Sequence, residues 1–250
     1  MKGLQVFKEY FKDYTNQYVL IGGAACDIIF EEQGTAFRAT KDLDIVLIVE
    51  ALSPEFGRRL WQFVRDGGYE NRARSTGTPQ FYRFDKPKVT GFPYMIELFS
   101  RREETLSGEE AGPCIPLPLG DEISSLSAIL LNEDYYSMLV KGKTVLSDIS
   151  VLSHIYLIPF KAKAWLDLRS RKEDGQHIDE KDIRKHRNDV LRLATLLIGT
   201  EQCELPEQVR QDLVLFINDL HRAPVNLKDL KISGVSFEDI LMVLSQVYLE

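Results

Sequence analysis

Apolar and polar positions follow two rhythms along this chain, and the rhythm changes near residue 150. Short apolar runs recur in the first part: Tyr18-Val19-Leu20-Ile21, Ile45-Val46-Leu47-Ile48-Val49, and Tyr94 to Ser100. Runs of this length, bounded by turn residues, read as buried strands. Helical spacing separates them. Residues 4–15, with Leu4, Phe7, Lys8, Tyr10, Phe11 and Tyr14, read as a short amphipathic helix. After Gly22-Gly23, the residues Ala24, Ala25, Ile28 and Ile29 fall on one helical face. Ser53-Pro54 opens a helix through about Asp66, with Pro at the favoured first position, and Gly67-Gly68 stops it. Asp42 to Glu50 reads as the central strand. Tyr69 to Arg74 and Gln80 to Phe84 read as a strand pair joined by Ser75-Thr76-Gly77-Thr78-Pro79. The order β-α-β-α-β-β-β predicts a mixed sheet carrying helices.

Gly108 to Asp121 is rich in Pro and Gly and reads as a connector. Residues 126–149 show no clear period. From Val151 onward the spacing is helical. Val151 to Arg171 reads as a long helix that Pro159 either kinks or truly begins. Asp179 to Ile198, Pro206 to Leu220 and Ser236 to Tyr248 read as further helices. The expected fold is α+β: an α/β domain over residues 1–150, with a mixed sheet flanked by helices, and a helical domain over 151–250.

Composition narrows the function classes. A net charge of −7 over 250 residues argues against an extended nonspecific grip on nucleic acid, and leaves room for a local basic patch. Cys26, Cys114 and Cys203 form no CxxC pair and read as reduced thiols. The first eighteen residues are charged and aromatic, unlike a signal peptide. No apolar run approaches membrane-spanning length. A cytoplasmic protein without membrane contact is the expectation.

The candidate chemistry centres on Asp42-Leu43-Asp44. Side chains at i and i+2 of a strand share a face, with Cα atoms roughly 6.6 Å apart. Two acids at the mouth of an apolar strand repel each other, so a positive partner is expected. Mg²⁺ suits hard oxygen ligands and is commonly held by one or two carboxylates plus substrate phosphates. Glu97 is a third acid, inside an apolar strand, where a charge is rarely buried unless paired or ligated. If its strand lies beside the one carrying Asp42 and Asp44, the three converge on a site for two metals roughly 3.5–4 Å apart. A salt bridge from Glu97 to Arg83 or Arg101 is the plainer alternative. Gly22-Gly23 would offer backbone N–H groups to a triphosphate, and Thr40, Lys41 and Arg38 would add phosphate contacts. Arg58, Arg59, Arg65, Arg72, Arg74 and Arg83 read as a solvated basic face, or else as a platform for a polyanion. The four histidines lack metal-ligand spacing.

Gly-Gly after a strand, Asp-x-Asp opening a strand and a lone acid on a later strand resemble the DNA-polymerase-β-like nucleotidyltransferases, and more closely their AbiEii/MenT branch. The residues carrying this are Ile21-Gly22-Gly23-Ala24-Ala25, Arg38-Ala39-Thr40-Lys41-Asp42-Leu43-Asp44 and Ile96-Glu97-Leu98. Pro159-Phe160-Lys161-Ala162-Lys163-Ala164 and Lys185-His186-Arg187-Asn188-Asp189-Val190 resemble that branch's two helical motifs. The resemblance implies transfer of a nucleoside monophosphate from an NTP to a tRNA, protein or small-molecule acceptor, in a toxin–antitoxin or abortive-infection setting with a cognate antitoxin. It implies Mg²⁺ on Asp42, Asp44 and Glu97, and a helical domain closing the nucleotide cleft. Lys161 would contact nucleotide phosphate and Asp189 would orient that lysine or the nucleotide, with Lys163 and Asp182 as rival positions. The alternatives are a catalytically inactive nucleotide- or partner-binding relative, and a transferase acting on a cationic small molecule such as an aminoglycoside.

Overall fold

A computed structural model describes residues 1–70, 83–100, 106–108, 111–114, 129–130 and 132–250. Two compact units share the chain. One is Met1–Leu130 with Leu139–Ser153, and the other is Leu131–Met138 with His154–Glu250.

The first unit is built on a six-stranded mixed sheet. Its strands are β1 (Tyr18–Ile21), β2 (Asp42–Leu47), β3 (Arg83–Asp85), β4 (Met95–Phe99), β7 (Lys143–Leu146) and β8 (Ile149–Leu152). Their order across the sheet is β3-β4-β2-β1-β8-β7. β1 runs antiparallel to β2, and β2 runs parallel to β4. Leu106–Gly108 (β5) pairs with Ala111–Cys114 (β6) in a separate small sheet, so part of the expected connector is a strand pair. Of the strand pair expected over 69–74 and 80–84, Arg83–Asp85 is a strand and Glu70 bridges to Asp85. The turn 75–79, Arg72, Arg74 and Arg101 lie outside the described residues.

Helices α1 (Leu4–Phe11) and α3 (Pro54–Gly67) cover one face of this sheet. Ser53 caps α3 through its hydroxyl, which accepts from the Phe56 N–H. Phe7 and Phe11 meet Tyr18 and Phe63 at ring distances of 5.3–6.2 Å. Trp61 of α3 meets Phe84 of β3 edge-on at 5.9 Å. Each such ring contributes about 1.5–3 kcal/mol by burial. By register, Tyr18 lies beside Leu47, Leu20 beside Ile45, and Phe84 beside Ile96. The aromatic layer therefore covers the face carrying Leu43, Ile45 and Ile96.

The stretch 126–149, featureless in sequence, contains helix α4 (Glu133–Lys141) and most of the β7–β8 hairpin. Its turn residues Ser147 and Asp148 both have positive φ, 47° and 63°, as a two-residue primed turn needs. Lys8 holds Asp148 at 2.9 Å and Glu32 accepts the Ser147 hydroxyl.

The second unit is helical: α5 (His154–Glu173), α6 (Glu180–Ala194), α7 (Glu207–Arg222) and α8 (Phe237–Tyr248). The helix expected from Val151 starts three residues later, because Val151 and Leu152 complete β8. Pro159 sits inside α5. A proline there leaves the carbonyl four residues back without its helical donor. That carbonyl is Ile155's, and the buried Tyr248 hydroxyl donates to it at 2.5 Å. The helix runs through Pro159 because a distant side chain replaces the lost bond. Among the described residues no helix is long and apolar enough to cross a membrane.

Candidate active site

Burial alternates along β2. Asp42 and Asp44 are half-buried while Leu43 and Ile45 are buried. β4 repeats the pattern, with Met95 and Glu97 half-buried and Ile96 and Leu98 buried. The parallel register sets Asp42 beside Met95 and Asp44 beside Glu97. Residues in register on neighbouring strands share a face, and the strands lie about 4.8 Å apart. All three carboxylates thus project from one face, opposite the aromatic layer of α1 and α3. β2 and β4 are internal, because β3 pairs along the outer side of β4.

β3 also supplies a cation. Arg83 stands in register with Glu97. Its Nε donates to Glu97 Oε1 at 2.6 Å, and its Nη2 contacts the same oxygen. The salt bridge weighed as the plainer role of Glu97 therefore forms, with Arg83.

Above Asp44 the chain turns tightly from β1 into α2 (Gly22–Glu32). Gly22 has φ 67°, and a Cβ there would lie 1.8 Å from Asp44 Oδ2. The carboxylate thus packs directly on the glycine. A Cβ on Gly23 would lie 2.6 Å from Thr40 Oγ1 and 3.6 Å from Arg38 Nη2. Gly22, Gly23, Arg38, Thr40 and Asp44 are therefore brought together. The N-cap residue Ile21 offers no capping side chain, and no acid belongs to the first turn of α2; the backbone N–H groups and dipole of such a helix start suit an anion. The Lys41 Nζ lies 5.8 Å from the Tyr94 ring centre.

Gly22→Ala tests this packing. It should cost roughly 1–2 kcal/mol of backbone strain, and in addition displace the Asp44 carboxylate. Gly34 has φ 69°, and a Cβ added there would meet nothing within 4 Å, so Gly34→Ala should show the strain alone. Denaturant midpoints and NTP-dependent melting shifts of the two variants separate the effects. Equal behaviour of both variants would remove the claimed contact.

The donor set can be tested against a metal. Among the described residues no three His, Cys, Asp or Glu side chains form a ready-made metal-binding group. Glu97 Oε1 is held by Arg83. Asp42 and Asp44 alone make a two-carboxylate edge, and Mg²⁺ is ordinarily held by one or two carboxylates with phosphate oxygens and water completing the shell. The pair fits that ion.

In the helical unit, Lys161 Nζ donates to Asp189 Oδ2 at 3.1 Å. Both side chains are buried, and Arg192 lies 3.9 Å from the other Asp189 oxygen. The rival positions are engaged otherwise. Lys163 pairs with Asp212 at 3.0 Å, and Asp182 is exposed near the start of α6. Asp212 also accepts the Tyr135 hydroxyl at 3.0 Å, and burial with this neighbouring charge pushes that phenol well above its usual range. Sequence reasoning missed this Tyr135–Asp212–Lys163 network. Its only trace in sequence is an acid in the buried spacing of α7.

Arg58 pairs with Glu55, Arg59 stacks on Tyr10 at 4.4 Å, and Arg83 serves Glu97. Cys26 and Cys203 are buried.

No family model matches the chain, and no curated protein matches it. Among solved structures it is similar to that of an antigenic nucleotidyltransferase-like protein from Paracoccidioides brasiliensis. The two are 16% identical over 90% of this chain and 88% of that one, with a TM-score of 0.45.

Proposed function

We propose that the chain is a metal-dependent nucleotidyltransferase. The observation carrying this reading is the register that places Asp44 beside Glu97, with Asp42 on the same face and the Gly22 turn packed on Asp44. An acceptor oxygen attacks the α-phosphorus of an NTP. The new P–O bond forms as the bond to the β-phosphate oxygen breaks, and pyrophosphate leaves.

Mg²⁺ on Asp42 and Asp44 would neutralise phosphate charge and acidify the attacking hydroxyl. The chain's own groups do the rest. The N–H groups of the Gly22-Gly23 turn bind phosphate oxygens, and Thr40, Arg38 and Lys41 add contacts. Glu97 is assigned to the reacting end through Oε2, where it would hold a second metal or accept the acceptor's proton. Arg83 fixes the direction of that carboxylate. Lys161 takes the role of phosphate ligand, and Asp189 that of its positioning partner. Such transfers depend mostly on positioning and charge stabilisation. A toxin of a toxin–antitoxin or abortive-infection pair, in the AbiEii/MenT manner, is the narrower reading, and it rests on the motif resemblance alone.

The Arg83–Glu97 ion pair favours a second reading, a relative that binds nucleotide without transferring it. Incubation with α-labelled NTPs, Mg²⁺ and cellular RNA, protein or metabolite fractions separates the two. Label transfer with stoichiometric pyrophosphate supports the enzyme. A melting shift with NTP and Mg²⁺ but no pyrophosphate supports the binder.

A further inference from the structure

A cavity of about 550 Å³ opens in the first unit beside the start of β2 and β4. Four lysines line it: Lys2, Lys41, Lys86 and Lys88, with Phe92 and Tyr94. In a chain of net charge −7 this is a concentrated basic spot. Three separate segments bring the lysines together, and each is anchored. The Lys88 N–H donates to the Gly67 carbonyl at 2.9 Å, which ties the loop to the end of α3. A Cβ on Gly3 would lie 2.2 Å from the Pro93 nitrogen, so the segment carrying Lys2 is pressed against the same loop. Lys41 meets the Tyr94 ring. Tyr94 is 49% exposed, and it directly precedes Met95, the register partner of Asp42. The cavity therefore adjoins the acidic pair without including it.

We propose that this pocket binds a single-stranded nucleic acid, with phosphates on Lys2, Lys86 and Lys88 and a base stacked on Tyr94. Its role as the strand that receives the nucleotide rests on the transfer reading above. Lysines along a groove with an exposed ring are what a strand of alternating phosphates and bases requires. A polycationic acceptor would be repelled here. The incoming triphosphate already has its own cradle at the Gly22-Gly23 turn. The volume lies within the range of ordinary ligand sites.

The test is anisotropy of a labelled oligoribonucleotide titrated with the full chain, in EDTA and without NTP. Lys86→Glu with Lys88→Glu should weaken binding roughly tenfold or more and flatten the salt dependence by about 1.4 in log–log slope. Tyr94→Ala should weaken the oligonucleotide about tenfold, leaving inorganic tripolyphosphate unaffected. Circular dichroism and melting of each variant confirm that it is folded. Wild-type affinity in the lysine variant overturns the proposal. So does displacement of the strand by tripolyphosphate or poly-glutamate at equal charge concentration. Pyrophosphate release by a protein whose strand binding ignores the lysines would sink this inference alone. Lysine-dependent strand binding without any transfer would sink the transfer reading and leave the pocket standing.

Discussion

Asp44→Asn should reduce nucleotidyl transfer by about three orders of magnitude or more while leaving the fold intact. The size follows from the role: a carboxylate that holds the metal supports several kcal/mol of transition-state charge stabilisation, and about 1.4 kcal/mol is tenfold in rate. The fold is spared because Asp44 carries no unique packing load that Asn fails to fill. Asn has the same shape against Gly22, where the carboxylate now rests. Its neighbours in the sheet are two further acids, Asp42 on the same strand and Glu97 across the register. Like charges on one sheet face repel, so neutralising one relieves part of that repulsion. The Mg²⁺-dependent part of any NTP-induced melting shift should disappear with activity. Parallel measurement of pyrophosphate release and melting, with and without Mg²⁺, checks both halves. Full transfer by Asp44→Asn would remove the acidic face from the mechanism. A collapse in stability would show that the charge is structural.

How much of this was legible before the structure depended on the range of each interaction. β2 and β4 announce themselves locally, as apolar runs with a charge inserted at alternate positions, and the alternation already set Asp42 and Asp44 on one face. The pairing of Asp44 with Glu97 leaves no such local mark. It depends on which strands become neighbours, and a long stretch of chain separates them. The pairing of Glu97 with Arg83 was legible only as one of two choices, since any nearby arginine satisfies a half-buried acid. The β7–β8 hairpin stayed hidden for a different reason. Its turn uses Ser147-Asp148 at positive φ, where Asn-Gly would have signalled it. Contacts from Lys8 and Glu32, more than a hundred residues away, hold that turn. Pro159 shows the same dependence on distant chain. Local chemistry reads it as a kink or a start, whereas Tyr248 from the last helix satisfies the orphaned carbonyl.

The largest effect on stability should come from the helical unit. Asp189→Ala leaves the Lys161 ammonium buried at 5% side-chain exposure without its 3.1 Å partner. Breaking a buried ion pair by removing one partner typically costs about 3–5 kcal/mol, a large share of the roughly 5–15 kcal/mol that keeps a domain folded. Arg192, 3.9 Å from the other Asp189 oxygen, loses a contact as well. Removing both charges is a different case. Lys161→Met with Asp189→Leu keeps apolar volume and removes both members of the buried pair, so most of the loss should be recovered. The two tryptophans, Trp61 and Trp165, allow the unit to be watched by itself. Trp165 is buried in α5 against Phe216, with ring centres 5.2 Å apart, so in a Trp61→Phe background its fluorescence reports on the helices. Urea titration of that background should show the single variant shifted to far lower denaturant and the double variant close to the parent. If Asp189→Ala cost less than about 1 kcal/mol, the range of an exposed pair, Lys161 would have an alternative partner or a route to water. If the double variant unfolded as easily as the single, the loss would lie in packing and not in the stranded charge. Activity then separates structure from chemistry. A double variant that is stable yet inactive toward NTP would assign the pair to the nucleotide, and a stable, active one would confine it to holding the helices together.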